Sequence, residues 1–353
     1  MNVLCVNVGS STLKLALFDG ERRLDSVQVH GNGPAELEEA VSRLVAAPPE
    51  AIGHRLVHGG PKLHLPSRID RGLLLSLRAI VRFAPLHLPP ALDAIEAMDR
   101  RFPGVPQVAC FDTHFHWNLP ERAQRLPIPE SLHAEGVRRY GFHGLSYEFI
   151  VSQMGTRLGE RAVIAHLGNG ASLAAVESGR CVDTTMAFTP ASGVVMSTRP
   201  GDLDPGVLLH LVASKGAGAD ELQRMIDREC GLSAISGGTS DMKTLLQRRA
   251  DDPRCALAVE IFVQSCRKAI GALAAVLGGL DALVLTGGIG ENSPEIRAEI
   301  AARLEHLGVR IDAEANLAAR ERISTPESAC AVYVLQTDED RMIARHAREV
   351  VGN

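Results

Sequence analysis

The residues best suited to chemistry in this chain lie between Tyr140 and Gly206. The motifs that follow one another there are YGFHG (140–144), HLGNGAS (166–172), FTP (188–190) and STRPGDLDPG (197–206). Glycine lets backbone N–H groups approach a ligand closely and tolerates positive φ. Arginine and histidine beside such glycines suit the charge that develops on a transferring phosphoryl group. The stretch therefore predicts an anion-handling active site between two lobes.

The composition is typical of a globular protein with two domains, because 353 residues can bury a large core. The formal net charge of −5 gives no reason to expect binding to nucleic acid or to anionic membranes. The seven cysteines are scattered and never spaced C-x-x-C. That pattern indicates a reducing compartment and argues against both a disulfide framework and a zinc site.

The N-terminal sequence MNVLCVNVGSSTLK lacks the basic region and cleavage site of a signal peptide. The most membrane-like run, residues 269–285, is interrupted by Gly278, Gly279 and Asp281 and divides better into a helix and a strand. We therefore expect a cytoplasmic protein with neither a membrane nor a nucleic-acid partner.

Two predicted hairpins have the same layout, a short apolar strand, a turn of small polar residues and a second strand. The strands span 3–8 and 13–18 in the first hairpin, and 162–167 and 173–177 in the second. Such tips offer backbone N–H and hydroxyl donors. Both could be ordinary hairpins, but Asn7, His166 and Asn169 near the tips favour a function. The repetition predicts a duplicated fold whose hairpin tips face one cleft.

Two further polar residues stand beside predicted strands in the first third of the chain. Arg55 lies in GHRLVHGG (53–60), after a predicted strand end, and its apolar, glycine-flanked context favours a buried anion contact over a surface position. The HGG could belong to an esterase oxyanion hole, but no G-x-S-x-G supplies a nucleophile. Asp112 follows a strand at 105–111, where α/β proteins bind ligands, although it could also cap a helix.

The last third of the chain predicts another phosphate-binding arrangement. A long helix begins at Asp252-Pro253 and ends before Gly278. A buried strand at 282–286 then leads into a glycine loop at 287–292 and a helix capped by Ser293-Pro294. Strand, glycine loop and helix N-terminus together suit a phosphate or nucleotide. Residues 231–241 are predicted as a Gly/Ser loop, and the final helix opens at 337–339.

Two common nucleotide-binding motifs are missing from the sequence. No G-x-x-x-x-G-K-[ST] occurs, which excludes a P-loop enzyme, and no G-x-G-x-x-G supports a dinucleotide-binding Rossmann fold. With both of these excluded, the sequence predicts a duplicated hairpin-plus-helices fold with separate glycine loops in both halves.

The motifs resemble, in order and over essentially the whole chain, those of the acetate kinase family. They are NVGSSTLK, GHRLVHGG, FDTHFH, YGFHG, HLGNGAS, FTP with STRPGDLDPG, TGGIGENS and TDED. The resemblance implies an α/β fold of duplicated ribonuclease-H-like (actin-like ATPase) domains, each a mixed five-stranded sheet with flanking helices. It implies an N-terminal domain of residues 1–114 plus 339–353, and a second domain of residues 115–338 that carries the nucleotide site and the interface of a homodimer.

The activity implied by the resemblance is reversible phosphoryl transfer from ATP to acetate, giving acetyl phosphate and ADP. It requires Mg²⁺, for which Mn²⁺ can substitute, and proceeds by direct in-line attack of the carboxylate. A carboxylate with a pKa near ~4–5 is already ionised at neutral pH, so no strong general base is needed. The difficulty is electrostatic, because one anion must approach another.

The resemblance also implies roles for individual residues. The catalytic residues are Asp112, His143 and Arg199. Arg55 binds the substrate carboxylate, and Val57, Leu86, Phe142 and Pro190 surround its methyl group. Asn7 and Glu339 form the metal site. The nucleotide-binding residues are Ser10, Thr12, Lys14, His166, Leu167, Gly168, Asn169, Gly170, Asp241, Met242, Lys243, Gly288, Ile289, Gly290, Glu291 and Asn292.

Three positions depart from the family pattern. His114 replaces a usually small residue in FDTxFH, where we expect it to fill space, and Tyr147 stands where a second histidine is usual. Lys243 replaces an arginine near the adenosine and keeps the charge without the planar fork.

The alternatives to an acetate kinase are a kinase for another short acid such as propionate, and a non-catalytic nucleotide-binding member of the superfamily. A sugar kinase is disfavoured because the inferred pocket is apolar.

Overall fold

The computed structural model describes residues 1–9 and 12–352, which form two β-sheets flanked by helices. The strands are β1 (Asn2–Val8), β2 (Thr12–Asp19), β3 (Arg22–His30), β4 (Ala51–Leu56), β5 (Ser67–Arg68), β6 (Gln107–Phe111), β7 (Arg161–Leu167), β8 (Ala171–Glu177), β9 (Arg180–Thr184), β10 (Ala282–Thr286) and β11 (Ala331–Val334). Within the described residues, the first sheet has the order β3-β2-β1-β4-β6-β5 and the second β11-β10-β7-β8-β9.

The two sheets repeat one topology. In the first sheet β2 and β3 run antiparallel to their neighbours, and β4 and β6 then add in parallel beside β1. In the second sheet β8 and β9 are antiparallel, and β10 and β11 add in parallel beside β7. The repetition confirms the predicted α/β class and its duplication. The first sheet exceeds the predicted five strands by the two-residue β5, which lies antiparallel to β6.

The helices connect and cover these strands. They are α1 (Pro34–Leu44), α2 (Arg71–Ala79), α3 (Leu88–Arg101), α4 (Glu121–Gln124), α5 (Glu130–Ala134), α6 (Gly144–Met154), α7 (Pro205–Lys215), α8 (Ala219–Arg224), α9 (Gly231–Ser236), α10 (Met242–Arg248), α11 (Pro253–Leu277), α12 (Gly287–Asn292), α13 (Pro294–Ala301), α14 (Ala313–Leu317) and α15 (Glu339–Gly352). Within the described part of the chain, no helix is long and apolar enough to span a membrane.

Strand β1 is a nearly continuous apolar run because both faces of its sheet are covered. Val3 and Cys5 enter the core that also holds α6 and α15. Leu4 and Val6 point the other way, into the core beneath α1 and α3. A strand buried on both faces reads as an unbroken hydrophobic segment, and this burial fixes the register that presents Asn7 at the end of the strand.

The C-terminal helix α15 packs across the first sheet although most of the second domain's sequence precedes it. Its apolar stripe includes Met342, Ile343 and Ala347, all fully or almost fully buried. Gly53 in β4 permits this approach, because a Cβ there would lie 2.5 Å from Ile343 Cγ2. Burying one large apolar side chain contributes roughly 1.5–3 kcal/mol, so the stripe anchors the helix and with it Glu339 at its first turn.

Three segments differ from the sequence-based expectations. The GHR of GHRLVHGG lies within β4 and not after it. Residues 231–236 form the helix α9, and residues 287–292 form the helix α12, where loops were expected. The predicted capping of α11 is confirmed, since Asp252 accepts from Arg254 N–H and Gly278 ends the helix with φ of 69°.

Candidate active site

Two adjoining cavities lie between the sheets, with volumes of about 1430 and 250 Å³. Both are lined from both sheets. The residues they share are Asn7, Lys14, His166, Asn169 and Glu339. The two hairpins that the sequence singled out therefore contribute to one continuous cleft.

Arg55 connects the polar groups on one side of the smaller cavity. Its Nε lies 3.1 Å from both carboxylate oxygens of Asp112, and Nη2 lies 2.5 Å from Oδ2. Nη1 donates to Asn7 Oδ1 at 3.2 Å, and Asn7 Nδ2 donates to Glu339 Oε2 at the same distance. Two carboxylates and an amide therefore surround one half-buried guanidinium.

The ionisation of the two carboxylates is set by burial and by these neighbours. Burial raises the pKa of Asp112 above its ordinary value, with Arg55 acting against the rise and Glu339 adding to it. Burial also opposes ionisation of Glu339, but the charges of Arg55 and Lys14 and the hydrogen bond from Asn7 act the other way, and the pKa of Glu339 lies below its ordinary value. Glu339 is therefore an anion at neutral pH, as a cation ligand must be.

His143 precedes α6 in a left-handed backbone conformation, with φ of 57°. A non-glycine residue in this region is uncommon and is typical of sites that the surrounding structure fixes. The N–H of Gly144 donates to the carbonyl of Asp112 at 2.8 Å. A Cβ on Gly144 would lie 2.1 Å from that oxygen. The glycine thus fixes His143 relative to Asp112 through the backbone.

Gly170 allows His143 and Arg199 to converge on the same turn. A Cβ on Gly170 would lie 3.3 Å from His143 Nε2 and 3.6 Å from Arg199 Nη1. The same Nη1 donates to the carbonyl of Pro190 at 2.7 Å. Two nitrogen donors therefore lie beside the backbone of the HLGNGAS turn, as stabilisation of a phosphoryl group requires.

Hydroxyl groups orient the two histidines of the cleft. Ser172 Oγ lies 2.9 Å from His143 Nδ1 and 2.5 Å from the hydroxyl of Tyr147. His166 Nδ1 lies 2.9 Å from Ser146 Oγ, and its ring stacks on His143 with centroids 4.3 Å apart. Bonds at both Nδ1 atoms leave the Nε2 atoms for a ligand.

Both imidazoles are neutral near pH 7 in the free protein. Burial lowers the pKa of His143 well below its usual range, with further lowering from His166, Arg55 and Arg199. Burial likewise lowers the pKa of His166. These side chains therefore act as hydrogen-bonding groups, while Arg55 and Arg199 supply the fixed positive charge.

Val57, Phe142 and Pro190, which the family resemblance assigned to the acid pocket, line the smaller cavity and form its apolar side. Leu86 is not among the described residues that line it, and the neighbouring His87 is. Burial lowers the pKa of His87 to about 4, with Arg199 and Arg55 contributing. A neutral imidazole thus lies beside the three apolar groups.

Most of the predicted nucleotide-binding residues line one of the two cavities. Thr12 and Gly170 line the smaller one. Those that line the larger one are Lys14, His166, Gly168, Asn169, Asp241, Met242, Lys243, Gly288, Ile289, Glu291 and Asn292. Leu167 and Gly290 are buried and line neither cavity among the described residues. Ser10 lies outside the described residues.

Several lining residues were not predicted. His87, Gly9, Arg23, Ser26, Gln28, Ser240, Gln336, Asp338 and Asp340 belong to this group. Gly9, Asp338 and Asp340 fall inside recognised motifs, which could have identified them. The residues of β3 carry no comparable signal, because a polar strand reads the same whether it faces solvent or a cleft.

The donors around Asn7 and Glu339 suit a hard divalent cation. Glu339 offers a carboxylate and Asn7 its Oδ1, which also accepts a hydrogen bond from Arg55, and the Asp112 carboxylate lies nearby. Mg²⁺ binds through one or two carboxylates, water and substrate phosphates, so this set fits it.

A cleft between duplicated actin-like ATPase domains, with glycine turns and converging arginines, defines the class of a phosphotransferase. The model of the acetokinase family matches residues 34–345, and the chain belongs to that family, whose phosphoryl acceptor is a carboxyl group. The acetate kinase of Rhodopseudomonas palustris is 41% identical, with 98% of this chain and 97% of the relative covered. Membership implies ATP as a substrate and a divalent metal ion.

Solved structures agree with this assignment. The acetate kinase of Porphyromonas gingivalis matches with a TM-score of 0.88 and 32% identity over 99% of both chains. The propionate kinase of Francisella tularensis matches with a TM-score of 0.90, also at 32% identity over 99% of both chains. These comparisons confirm the family resemblance and the fold.

Proposed function

We propose that this chain catalyses reversible phosphoryl transfer from ATP to acetate, giving acetyl phosphate and ADP. The observation that carries the proposal is that a large cavity opens into a small one beside Arg55, His143 and Arg199. The volumes suit a nucleotide and a very small acid respectively. The identity of about 41% with an acetate kinase supports acetate as that acid.

The acid is held between charge and apolar surface. The guanidinium of Arg55 faces its carboxylate, and Val57, Phe142 and Pro190 face its methyl group. One methylene group in such a pocket is worth roughly 1–3 kcal/mol, so the pocket favours acetate over longer acids without excluding them.

The transfer itself needs stabilisation of charge more than proton transfer. An ionised carboxylate oxygen of acetate forms a bond to the γ-phosphorus, while the bond to the β-phosphate oxygen breaks and its electron pair leaves with ADP. Arg199 Nη1 and His143 Nε2, both next to Gly170, donate to the equatorial oxygens. Asp112 orients Arg55 through two parallel hydrogen bonds.

The nucleotide lies along the larger cavity. We assign the phosphates to Thr12, Lys14 and the residues of the 166–170 turn that line the cavities, and the adenosine to residues 241–243 and to Gly288, Ile289, Glu291 and Asn292. Leu167 and Gly290, which line neither cavity, are assigned to the nucleotide from the sequence alone. Ser10 is assigned to the phosphates from the sequence alone. Asn7 and Glu339 would hold Mg²⁺ or Mn²⁺, which when bound neutralises the β- and γ-phosphate oxygens.

We further assign the N-terminal domain to residues 1–114 plus 339–353, the second domain to residues 115–338, and the cytoplasm as the compartment. A homodimer through the second domain is supported by exposed apolar side chains on α7. Val207, Leu209 and Val212 are between 40% and 70% exposed there. Clustered exposed apolar side chains can mark a protein interface.

The function is tested by trapping acyl phosphate with hydroxylamine, using Mg-ATP and acetate, propionate or butyrate. We expect the highest kcat/KM for acetate. A preference for propionate would support the second candidate, which the structural match to a propionate kinase favours. If folded protein binds ATP and forms no acyl phosphate from any of the acids, the proposal fails and a non-catalytic role replaces it.

A further inference from the structure

We propose that His114, Glu148 and His346 form a transition-metal site, best suited to Zn²⁺, apart from the nucleotide cleft. One ligand atom from each of the three side chains lies within 4.8 Å of the other two. None of these residues lines either cavity of the candidate active site among the residues described.

The hydrogen bond of His114 leaves its other ring nitrogen available for a metal. His114 Nδ1 lies 2.7 Å from the backbone carbonyl of His64. Because a carbonyl only accepts, Nδ1 carries the proton and Nε2 keeps its lone pair. This is the arrangement that fixes metal-binding histidines. His346 Nε2 lies 2.9 Å from Glu148 Oε1, so two of the three ligands are already adjacent, and a bound metal ion would displace the proton that they share.

Burial gives a second, independent indication of a metal site. His346 is only 2% exposed. Glu148 Oε2 is also buried and has no hydrogen-bond partner in residues 1–9 and 12–352. Buried polar atoms are normally satisfied, and unsatisfied ones cost free energy. A cation beside Glu148 would offset that cost, and the half-buried His114 and Glu148 leave a route for it from solvent.

The ligand types select the metal. Two imidazoles and one carboxylate, with water in the fourth position, are a common tetrahedral zinc set, whereas Mg²⁺ prefers oxygen ligands throughout. Ligand atoms at about 2.0–2.1 Å from zinc lie roughly 3.4 Å apart. The pair His346 and Glu148 is already closer than this, and the His114 ligand atom lies within 4.8 Å of both, so a small approach of His114 toward the pair completes the site.

The three ligands lie on different structural elements, so a bound metal ion would affect how these elements pack. His114 follows Asp112 by two residues, Glu148 lies on α6, which starts after His143, and His346 lies on α15, which begins with Glu339. A bound ion would therefore join three elements that carry candidate active-site residues. The ion also accounts for the histidine at position 114, which we expected from the sequence only to fill space. The sequence argument against a zinc site concerned cysteine ligands, and this site uses none.

The test is zinc binding to the metal-free full-length protein in excess MgCl₂, followed with a chromophoric zinc indicator. The excess Mg²⁺ occupies the oxygen ligands around Glu339. We expect one Zn²⁺ per chain, and a higher melting temperature when it is bound. Loss of a second-shell partner costs about 10–100-fold in affinity, so His114→Ala and Glu148→Gln should each weaken binding by at least about 100-fold. The exposed His210→Ala serves as the matched control and should bind as wild type does.

Cobalt provides the second measurement. Co²⁺ in the wild-type protein should give the intense visible bands of a tetrahedral site, absent from His114→Ala. Circular dichroism checks that both variants fold, and the buried His346 is left unchanged for that reason. Equal zinc affinity in His114→Ala, Glu148→Gln and wild type, no zinc binding at all, or only weak octahedral cobalt bands would each overturn the proposal. Catalytic activity enters none of these readouts.

Discussion

Single side chains carry the electrostatic stabilisation that the proposed reaction needs, and Arg199 is the clearest case. It is a half-buried guanidinium, and burial lowers its pKa. Its hydrogen bonds go to the carbonyl of Pro190 and the sulfur of Met196, so no described contact commits it to a carboxylate. Its charge is therefore free for a phosphoryl group.

Arg199→Ala should lower kcat by about 10²–10³-fold, because one preorganised donor to the transition state is lost. The melting temperature should change little, since no ion pair is broken. Steady-state kinetics by hydroxamate formation measures the effect, with the exposed Arg180→Ala as control. An unchanged kcat in Arg199→Ala would remove this residue from the reaction.

The hydroxyl pair behind His143 gives a second prediction. Because Ser172 Oγ lies between His143 Nδ1 and the hydroxyl of Tyr147, Ser172→Ala should leave the imidazole misoriented. We expect about a tenfold loss of kcat with little change in the KM for acetate, as for a positioning residue. Tyr147→Phe should have a smaller effect in the same direction. A change in KM alone would indicate that Ser172 affects binding and not the orientation of His143.

Motifs anticipated Arg55, Asp112, His143 and Arg199 because each stands beside glycine or at a strand end. His87 was not anticipated, since nothing in the PLHLPP turn (85–90) distinguishes it from a core histidine. Its place in the cavity depends on how the start of α3 packs, which one sequence does not show. Leu86, chosen instead, is one residue away.

At the scale of elements, glycine loops were the least predictable. The segment 287–292 has three glycines and a low helix propensity, yet it forms α12. Side-chain hydrogen bonds explain the difference. The fully buried Arg297 donates to the carbonyls of Gly290 and Glu291, and Glu291 Oε1 accepts from Gly287 N–H. These partners satisfy both ends of the short helix. Helix propensity does not include such bonds, which depend on where the Glu291 and Arg297 side chains point.

The junction between β6 and α6 gives an element-scale prediction. Gly144→Ala should lower both stability and kcat, because a Cβ 2.1 Å from the Asp112 carbonyl must displace one of the two backbones. Gly271→Ala, within α11 and with no atom within 4 Å of an added Cβ, is the matched control. The control should gain up to about 1 kcal/mol. Thermal unfolding and kinetics of both variants test this, and a Gly144→Ala protein as stable and active as wild type would contradict it.

Across the whole molecule, the sequence anticipated the duplicated sheets because each hairpin repeats the same strand pattern. The closure of the first sheet by α15 came from the family resemblance. It depends on close packing of Ile343 against Gly53, a contact between residues almost three hundred positions apart. Such long-range packing is decided by shape, which hydrophobic pattern alone does not specify.

Buried histidines make the stability of the whole chain depend on pH. Burial lowers the pKa of His54, His58 and His116 to about 4. In the unfolded chain their pKa is about 6.5, so between these values the unfolded state binds more protons and the free energy of unfolding falls as pH falls. At 1.36 kcal/mol per pKa unit, each can contribute a loss of up to about 3 kcal/mol.

Urea unfolding from about pH 7.5 down to about pH 5 should therefore show a midpoint that falls steadily with an unchanged m-value. Most carboxylates stay ionised over this range, so the histidines dominate the change. The expected slope begins near pH 6.5. A midpoint that stays constant to pH 5 would show that these histidines are protonated in the folded protein.

In the proposed reaction the two substrates meet in one continuous cleft and react directly. A two-step reaction would need a side chain that accepts the phosphoryl group, and His143 and Asp112 are the best placed. His143 is hydrogen-bonded to Ser172 and Asp112 to Arg55, which favours direct transfer. The most direct test is the stereochemistry at phosphorus, using ATP made chiral at the γ-phosphoryl group and acetate as acceptor. A single in-line displacement predicts inversion of configuration in acetyl phosphate. Retention would require two displacements through a phosphorylated protein and would contradict the account.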